Sequence, residues 1–227
     1  MKKKFLFIAV FTILGFLLLQ IPFTNIVGSG QKFSLFDFFA PAIGMFLASI
    51  WGAIAVIAVK FTNALITHQT LDFITIVRFF PLAFAAFYLG LRKKRGLIAI
   101  VPIICIILFN LHPNGRGAWF FSLYWLIPVA TLFIKRSLVF NSLGATFTAH
   151  AVGSVAFLYA FNLPSEVWIA LIPVVFLERV MFTGGIALSY VSVNSLVSLL
   201  AKLFSSQTLS KLVKPEYTIS KKLLSNL

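Results

Sequence analysis

The sequence predicts an all-α fold, a polytopic bundle of transmembrane helices, and three observations predict it. Of the 227 residues, 60% are hydrophobic and only 11% are charged, with 27 phenylalanines among them. A soluble domain of this length lacks the polar residues to face that much apolar side chain away from water. Several apolar stretches approach the roughly 20 residues that cross about 30 Å of hydrocarbon as a helix. The stretches are continuously apolar and do not alternate with period two, which excludes the strands of a membrane barrel.

The elements follow in order. Met1 to Gln20 is a lysine-rich start and an apolar run that ends near Pro22. It reads as an uncleaved first helix; a signal peptide is the other reading, with Val27-Gly28-Ser29 a loose cleavage match. Further apolar runs cover Phe38 to Val59, Leu71 to Leu91, Leu97 to Asn110, Ala118 to Ile134, Leu138 to Phe161 and Val167 to Val193. Residues 1–193 therefore form a transmembrane domain. In residues 194–227, Leu196, Leu199, Leu200, Leu203 and Phe204 are spaced for an amphipathic helix on the cytoplasmic membrane surface, followed by a basic tail.

The positive clusters are Lys2-Lys3-Lys4, Arg92-Lys93-Lys94-Arg95, Lys135-Arg136 and the tail lysines. The positive-inside rule puts all four, and the C-terminus, in the cytoplasm of a cell that carries this multi-pass protein in its plasma or inner membrane. From Arg92 onward the arithmetic closes, with outer loops at His112–Arg116 and Asn162–Glu166. Between the first lysines and Arg92 lie three apolar runs, an odd number. One of them does not simply span, and Phe38 to His68, with Pro41, Lys60, Asn63 and His68, is the segment expected to enter and return or to break and turn. Six spans result. The rival arrangement has seven spans with the N-terminus outside and leaves three lysines on the wrong side.

Charge and composition also exclude functions. The net charge of +14 comes from short clusters beside apolar runs, where it faces anionic headgroups rather than nucleic acid. The single cysteine, Cys105, lies in an apolar run and packs there. His68, His112 and His150 are scattered, with no HExxH and no paired cysteines, so neither a metal nor another cofactor is expected. There is no GxxxxGK[ST] loop, no GxSxG and no carboxylate cluster, which argues against an enzyme.

Four ionisable residues stand out by depth. Glu178 and Arg179 fall near the middle of the last apolar run, Arg78 near the middle of the third, and His150 near the middle of the sixth. A charge at the bilayer centre costs roughly 2.5–3.5 kcal/mol, so such groups face a bundle interior. Arg78, His150, Glu178 and Arg179 are therefore expected to meet in a mid-membrane pocket for a small polar solute or anion. Neighbours on a helix point about 100° apart, so Arg78 and not Arg179 is the expected partner of Glu178. The competing reading is a buried strut in a membrane scaffold or assembly protein. A third class, an intramembrane enzyme using His150 or Glu178, predicts turnover of a lipid or peptide.

Ala40, Gly44, Ala48 and Gly52 recur every four residues and make a smooth helical face. Such a ridge packs within the chain or docks a second membrane subunit. The segment Phe39-Ala40-Pro41-Ala42-Ile43-Gly44-Met45-Phe46-Leu47-Ala48, in a small basic chain of about six helices, resembles the substrate-binding S components of energy-coupling-factor vitamin transporters. The resemblance implies a transport subunit whose ridge docks a membrane coupling subunit, with ATPase subunits supplying energy.

Overall fold

The computed structural model describes residues 2–25, 32–47, 50–91, 94–134 and 137–219. Helix α1 (Lys2–Leu19) leads into an antiparallel pair, β1 (Pro22–Asn25) with β2 (Lys32–Ser34), in the register Pro22 to Ser34 and Thr24 to Phe33. Helices α2 (Leu35–Leu47) and α3 (Trp51–Ile66) follow, then α4 (Phe73–Val77) and α5 (Phe80–Gly90). Next come α6 (Arg95–Leu111), α7 (Pro113–Gly117), a 3₁₀ segment (Trp119–Trp125) and α8 (Leu126–Thr131). Two long helices, α9 (Leu138–Phe161) and α10 (Ser165–Leu203), precede α11 (Gln207–Ser210) and a 3₁₀ turn (Pro215–Tyr217). The fold is all-α apart from the short strand pair.

Local chemistry sets several boundaries. Asp72 caps α4 by accepting the Thr75 amide at 2.8 Å, and Ser137 caps α9 through the Phe140 amide. Asn162 closes α9 in the left-handed conformation, φ 49°, which asparagine tolerates better than most residues. Pro164 then stands just before α10.

Three stretches are long and apolar enough to cross a membrane: Phe73–Gly90, Leu138–Phe161 and Ser165–Leu203. The other apolar helices run 10–17 residues. The expected run from Phe38 to Val59 is two helices, because the chain turns back between α2 and α3. With 13 and 16 residues at about 1.5 Å each, they reach roughly 20 and 24 Å, short of the 30 Å core.

The expected separate surface helix from Asn194 is a correction. Helix α10 continues unbroken through Leu203, 39 residues in all, or about 58 Å. Asn194, fully buried, does not break it because its side chain is occupied elsewhere. Its Nδ2 donates to the Lys214 carbonyl at 2.9 Å, and its Oδ1 accepts the Lys214 amide at 3.0 Å. The C-terminal strap thus folds back along α10, with Tyr217 against Tyr190 and the Ile219 amide on Ser195.

Helix α2 is the spine of the bundle, buried along nearly its whole length between α1, α3, α5 and α10. It runs parallel to α10, since Phe38 meets Phe182 and Phe46 meets Tyr190, both at 4.9 Å between ring centroids. Helix α1 follows the direction of α3, with Gln20 donating to Asn63. Helix α5 opposes α9, because Gly144 faces the Tyr88 hydroxyl and Gly153 faces Pro81. A second core of aromatics, Phe109, Phe121, Trp125, Phe147 and Trp168, packed largely edge to face, ties α6, the 3₁₀ segment, α9 and α10 together. The outer side of α6 presents Leu97, Ile100, Ile103, Ile104, Ile107 and Leu111 uncovered, a face suited to acyl chains.

Candidate functional site

Arg179 projects from α10 into the bundle and is 8% exposed. Its Nη2 donates to Glu178 Oε2 at 3.3 Å and its Nη1 to Thr146 Oγ1 of α9 at 3.4 Å. The guanidinium carbon lies 4.5 Å from the centroid of Phe182, and Nε is buried without a hydrogen-bond partner. Both bonds are longer than the 2.7–2.9 Å typical of charge-assisted pairs. The guanidinium is enclosed but poorly satisfied.

A second carboxylate, Asp37, stands at the start of α2, which aromatic rings hold against α10. Phe33 and Phe38, which flank Ser34 and Asp37, both pack edge-on against Phe182, at 4.6 and 4.9 Å. Asp37 is itself held in place: Oδ2 accepts the Ser34 amide at 2.7 Å and the Ser34 hydroxyl at 2.9 Å. Ser34-Leu35-Phe36-Asp37 ahead of an apolar run is a capping-box pattern, with Asp in place of Glu, and its first-turn carboxylate suits the helix N-terminus. That signal in the sequence could have drawn attention to Asp37.

The expected ion pair of Glu178 with Arg78 is a correction, because Glu178 pairs with its neighbour Arg179. Both side chains are long enough to bend around the 100° between them, at the expense of a long single contact. Arg78 lies elsewhere, at the end of α4, with its guanidinium 5.7 Å over Phe157. Phe157 and Thr146 are 11 residues apart on α9, about 16 Å along the axis. The two arginines therefore do not share a site.

His150, one turn from Thr146, is used up in packing. The Trp125 indole N–H donates to Nδ1 at 3.1 Å, and Nε2 lies 3.2 Å from Ser154 Oγ. An indole N–H only donates, so Nδ1 is the acceptor, Nε2 carries the proton, and the ring is neutral. Its faces meet Phe121 and Phe147 in the aromatic core.

The ridge is covered within the chain. Ala40, Gly44 and Gly52 are buried; Gly44 abuts the backbone carbonyl of Ala86 on α5, and a Cβ on Gly52 would lie 2.8 Å from Gly44 Cα. Ala48 lies outside the described residues. The cavity described, about 230 Å³, opens beside α8 and α10 and is lined by Phe120, Leu123, Tyr124, Ile127 and Ile172. None of the four expected pocket residues lines it. Among the described residues, no group of three or more His, Cys, Asp or Glu could hold a metal.

No protein-family model matches the chain, and no solved structure does. It is 26% identical over 202 residues to an uncharacterized protein of Methanocaldococcus jannaschii, a match spanning 80% of this chain and 68% of that protein. None of these likenesses leads to the S components of vitamin transporters.

Proposed function

We propose that this is a multi-pass protein of the cell membrane that binds a small polar solute with an anionic group at Arg179, as the solute-binding subunit of a transporter. The single observation that carries the reading is the state of Arg179: nine-tenths buried, two long bonds, and an Nε–H with no partner. An ionisable group kept inside a membrane bundle at this cost marks a solute or ion site by default. A ligand oxyanion would complete the fork that Glu178 meets with a single contact. The small-residue ridge is taken up by α3 and α5, so a coupling subunit with its ATPase would have to engage another face.

Helix direction supports an orientation. Four helical runs, α1, α2, α3 and α4–α5, separate the first lysines from the start of α6, an even number of passes. The end of the bundle that holds Lys94 and the close of α10 is then the one we read as cytoplasmic under the positive-inside rule.

The test is native mass spectrometry of the detergent-solubilised chain beside Arg179→Gln. A small molecule that co-purifies with the wild type and is lost from the variant is the expected result; an empty spectrum for both rejects it. A scaffold reading is favoured by one observation, that the cavity described does not reach Arg179. It predicts that Glu178→Leu with Arg179→Met leaves the fold intact, because well-packed apolar replacements of buried ion pairs are often neutral or stabilising.

A further inference from the structure

We infer that the free end of α10 is a pairing face for a second copy of this chain in the same membrane; the inference goes beyond the solute reading and does not depend on Arg179. Leu196, Leu199 and Leu203 are 50%, 53% and 67% exposed. Their spacing of three and four residues sets them on one side of the helix. Each stands two residues after a buried one, Asn194, Val197 and Ala201, and two residues are about 200° of turn. The leucines therefore face away from the side that the chain itself covers, where Asn194 holds the Lys214 backbone and Tyr217 lies on Tyr190. Lys202, exposed, stands beside the leucines, and residues 194–203 include no acid.

Acyl chains do not reach these leucines. Helices α9 and α10 run in opposite directions, since only residues 162–164 separate them and Leu158 shares a core with Trp168. From the contact of Arg179 with Thr146, eight residues back along α9 reach Leu138, its first residue, and eight forward along α10 reach Ala187. Two basic clusters mark that level as the membrane edge. Lys135-Arg136 precede α9 in the sequence, and Ile98, three residues after the start of α6 at Arg95, shares a core with Ile186. Headgroups add about 5–8 Å to the hydrocarbon on each side, whereas Leu196, Leu199 and Leu203 lie about 14, 18 and 24 Å beyond Ala187. They stand in water, where a free apolar stripe marks an interaction site.

A second copy fits this face better than a charged partner does, because the leucines carry no charge to complement. Two copies in one bilayer also point the same way. A two-fold axis along the membrane normal then brings identical faces together in register. Lys202 is about 100° round from Leu203, so it lies beside the seam and not across it. Nearer the membrane, exposed Ser192 continues the same side one turn before Leu196, and a small residue there lets two helices approach. The face is short, and confinement to one bilayer in one orientation supplies the effective concentration that it needs.

The experiment uses the full chain in phosphatidylethanolamine–phosphatidylglycerol vesicles at low protein density. Cys105→Ala is the background, with a single cysteine at Leu196, Leu199 or Leu203. Oxidation with copper phenanthroline should link two copies at each of these at least tenfold faster than at Glu216→Cys, which is exposed on the strap. Copies are then counted by stepwise bleaching of a dye on Glu216→Cys. Two are expected with the leucines in place and one when all three are glutamine, with the melting point held because the leucines touch little of their own chain. One copy with the leucines in place, or linking at Glu216→Cys as fast as at the leucines, overturns the inference. A triple variant that still pairs also overturns it and assigns the face to lipid or to another protein. A triple variant that melts well below its parent overturns it too, since the face is then covered within its own chain.

Discussion

Replacing Gly44 with alanine tests whether α2 is the interior spine of this chain or a face kept for another subunit. Gly44 lies directly against the carbonyl of Ala86 on α5, and a methyl group there overlaps backbone atoms. Backbone cannot swing aside as the end of a long side chain can, so α2 and α5 must separate. Overpacking of this kind costs about 1–3 kcal/mol. Alanine's better helix propensity returns up to about 1 kcal/mol, so the net loss is about 1–2 kcal/mol. For a chain of this size, each kcal/mol moves the melting point by about 2–4 °C, and a fall of roughly 2–8 °C is expected. Gly184 is the internal control. It is exposed, and a Cβ there meets nothing within 4 Å, so Gly184→Ala should hold or raise the melting point. The assay is built into the chain: Cys105, the sole cysteine, is 6% exposed, and a thiol-reactive fluorophore will label it only on unfolding. A Gly44→Ala protein that melts with the wild type, or a Gly184→Ala protein that falls as far, would refute the packing described for α2.

Two further predictions concern the ends of the bundle. Asn194→Ala removes both bonds to Lys214 and leaves that backbone pair without its partner, a loss of about 1–3 kcal/mol. Limited proteolysis should then cut within residues 207–219 sooner than in the wild type, and unchanged resistance would mean that the strap is held by other contacts. At the head of α4, the Thr75 amide, the Thr75 side chain and the charge of Arg78 hold the Asp72 carboxyl below the usual carboxylate range. A folded pKa below the unfolded one means that the cap stabilises above the unfolded value and is lost as pH falls through the lower folded value. Exchange of the Thr75 amide, corrected for its intrinsic rate, should rise over that acid window in the wild type. In Asp72→Ala it should already be raised at neutral pH, and equal protection in both proteins would count against the cap.

The helical class and three of the expected runs, now Phe73–Gly90, Leu138–Phe161 and Ser165–Leu203, were legible because they depend on composition and on long stretches of like residues. The count of charge clusters also located the anomaly, since an odd number of apolar runs before Arg92 requires one of them to fold back. The place of the turn was not legible. Pro41, the obvious breaker, sits inside α2 without ending it; α2 instead ends at Leu47 and α3 begins at Trp51. Gly44 and Gly52, whose spacing suggested a docking ridge, are needed for the two arms of that hairpin to approach each other and α5. A small-residue face records close approach, and nothing in its spacing says whose backbone approaches. The length of α10 was hidden for a similar reason. Apolarity drops after Val193, but a polar Asn194 ends a helix only if its side chain competes for local backbone, and here it is engaged by Lys214, 20 residues away.

The structure separates Arg78 and His150 from the Glu178–Arg179 pair, and that separation shows what depth along a sequence can measure. Position within an apolar run estimates how far a side chain lies from either interface, and by that measure Arg78, His150, Glu178 and Arg179 were equals. Two groups at equal nominal depth still meet only if their helices are neighbours and the groups face each other. The 18-residue stretch holding Arg78 is interrupted at that residue by the turn between α4 and α5, which carries its head to Phe157, a different level of α9 from Thr146. His150 is at the right level but turns toward Trp125 and Ser154, where its ring nitrogens are used. Asp37 was passed over for the opposite reason: it stands at the start of an apolar run, where depth suggests an interface. Because α2 begins beside Phe182 and not beside the start of α10, its first turn, with Asp37, stands level with the middle of that long helix. What surrounds Arg179 therefore depends on where a short helix starts, which no run of apolar residues records.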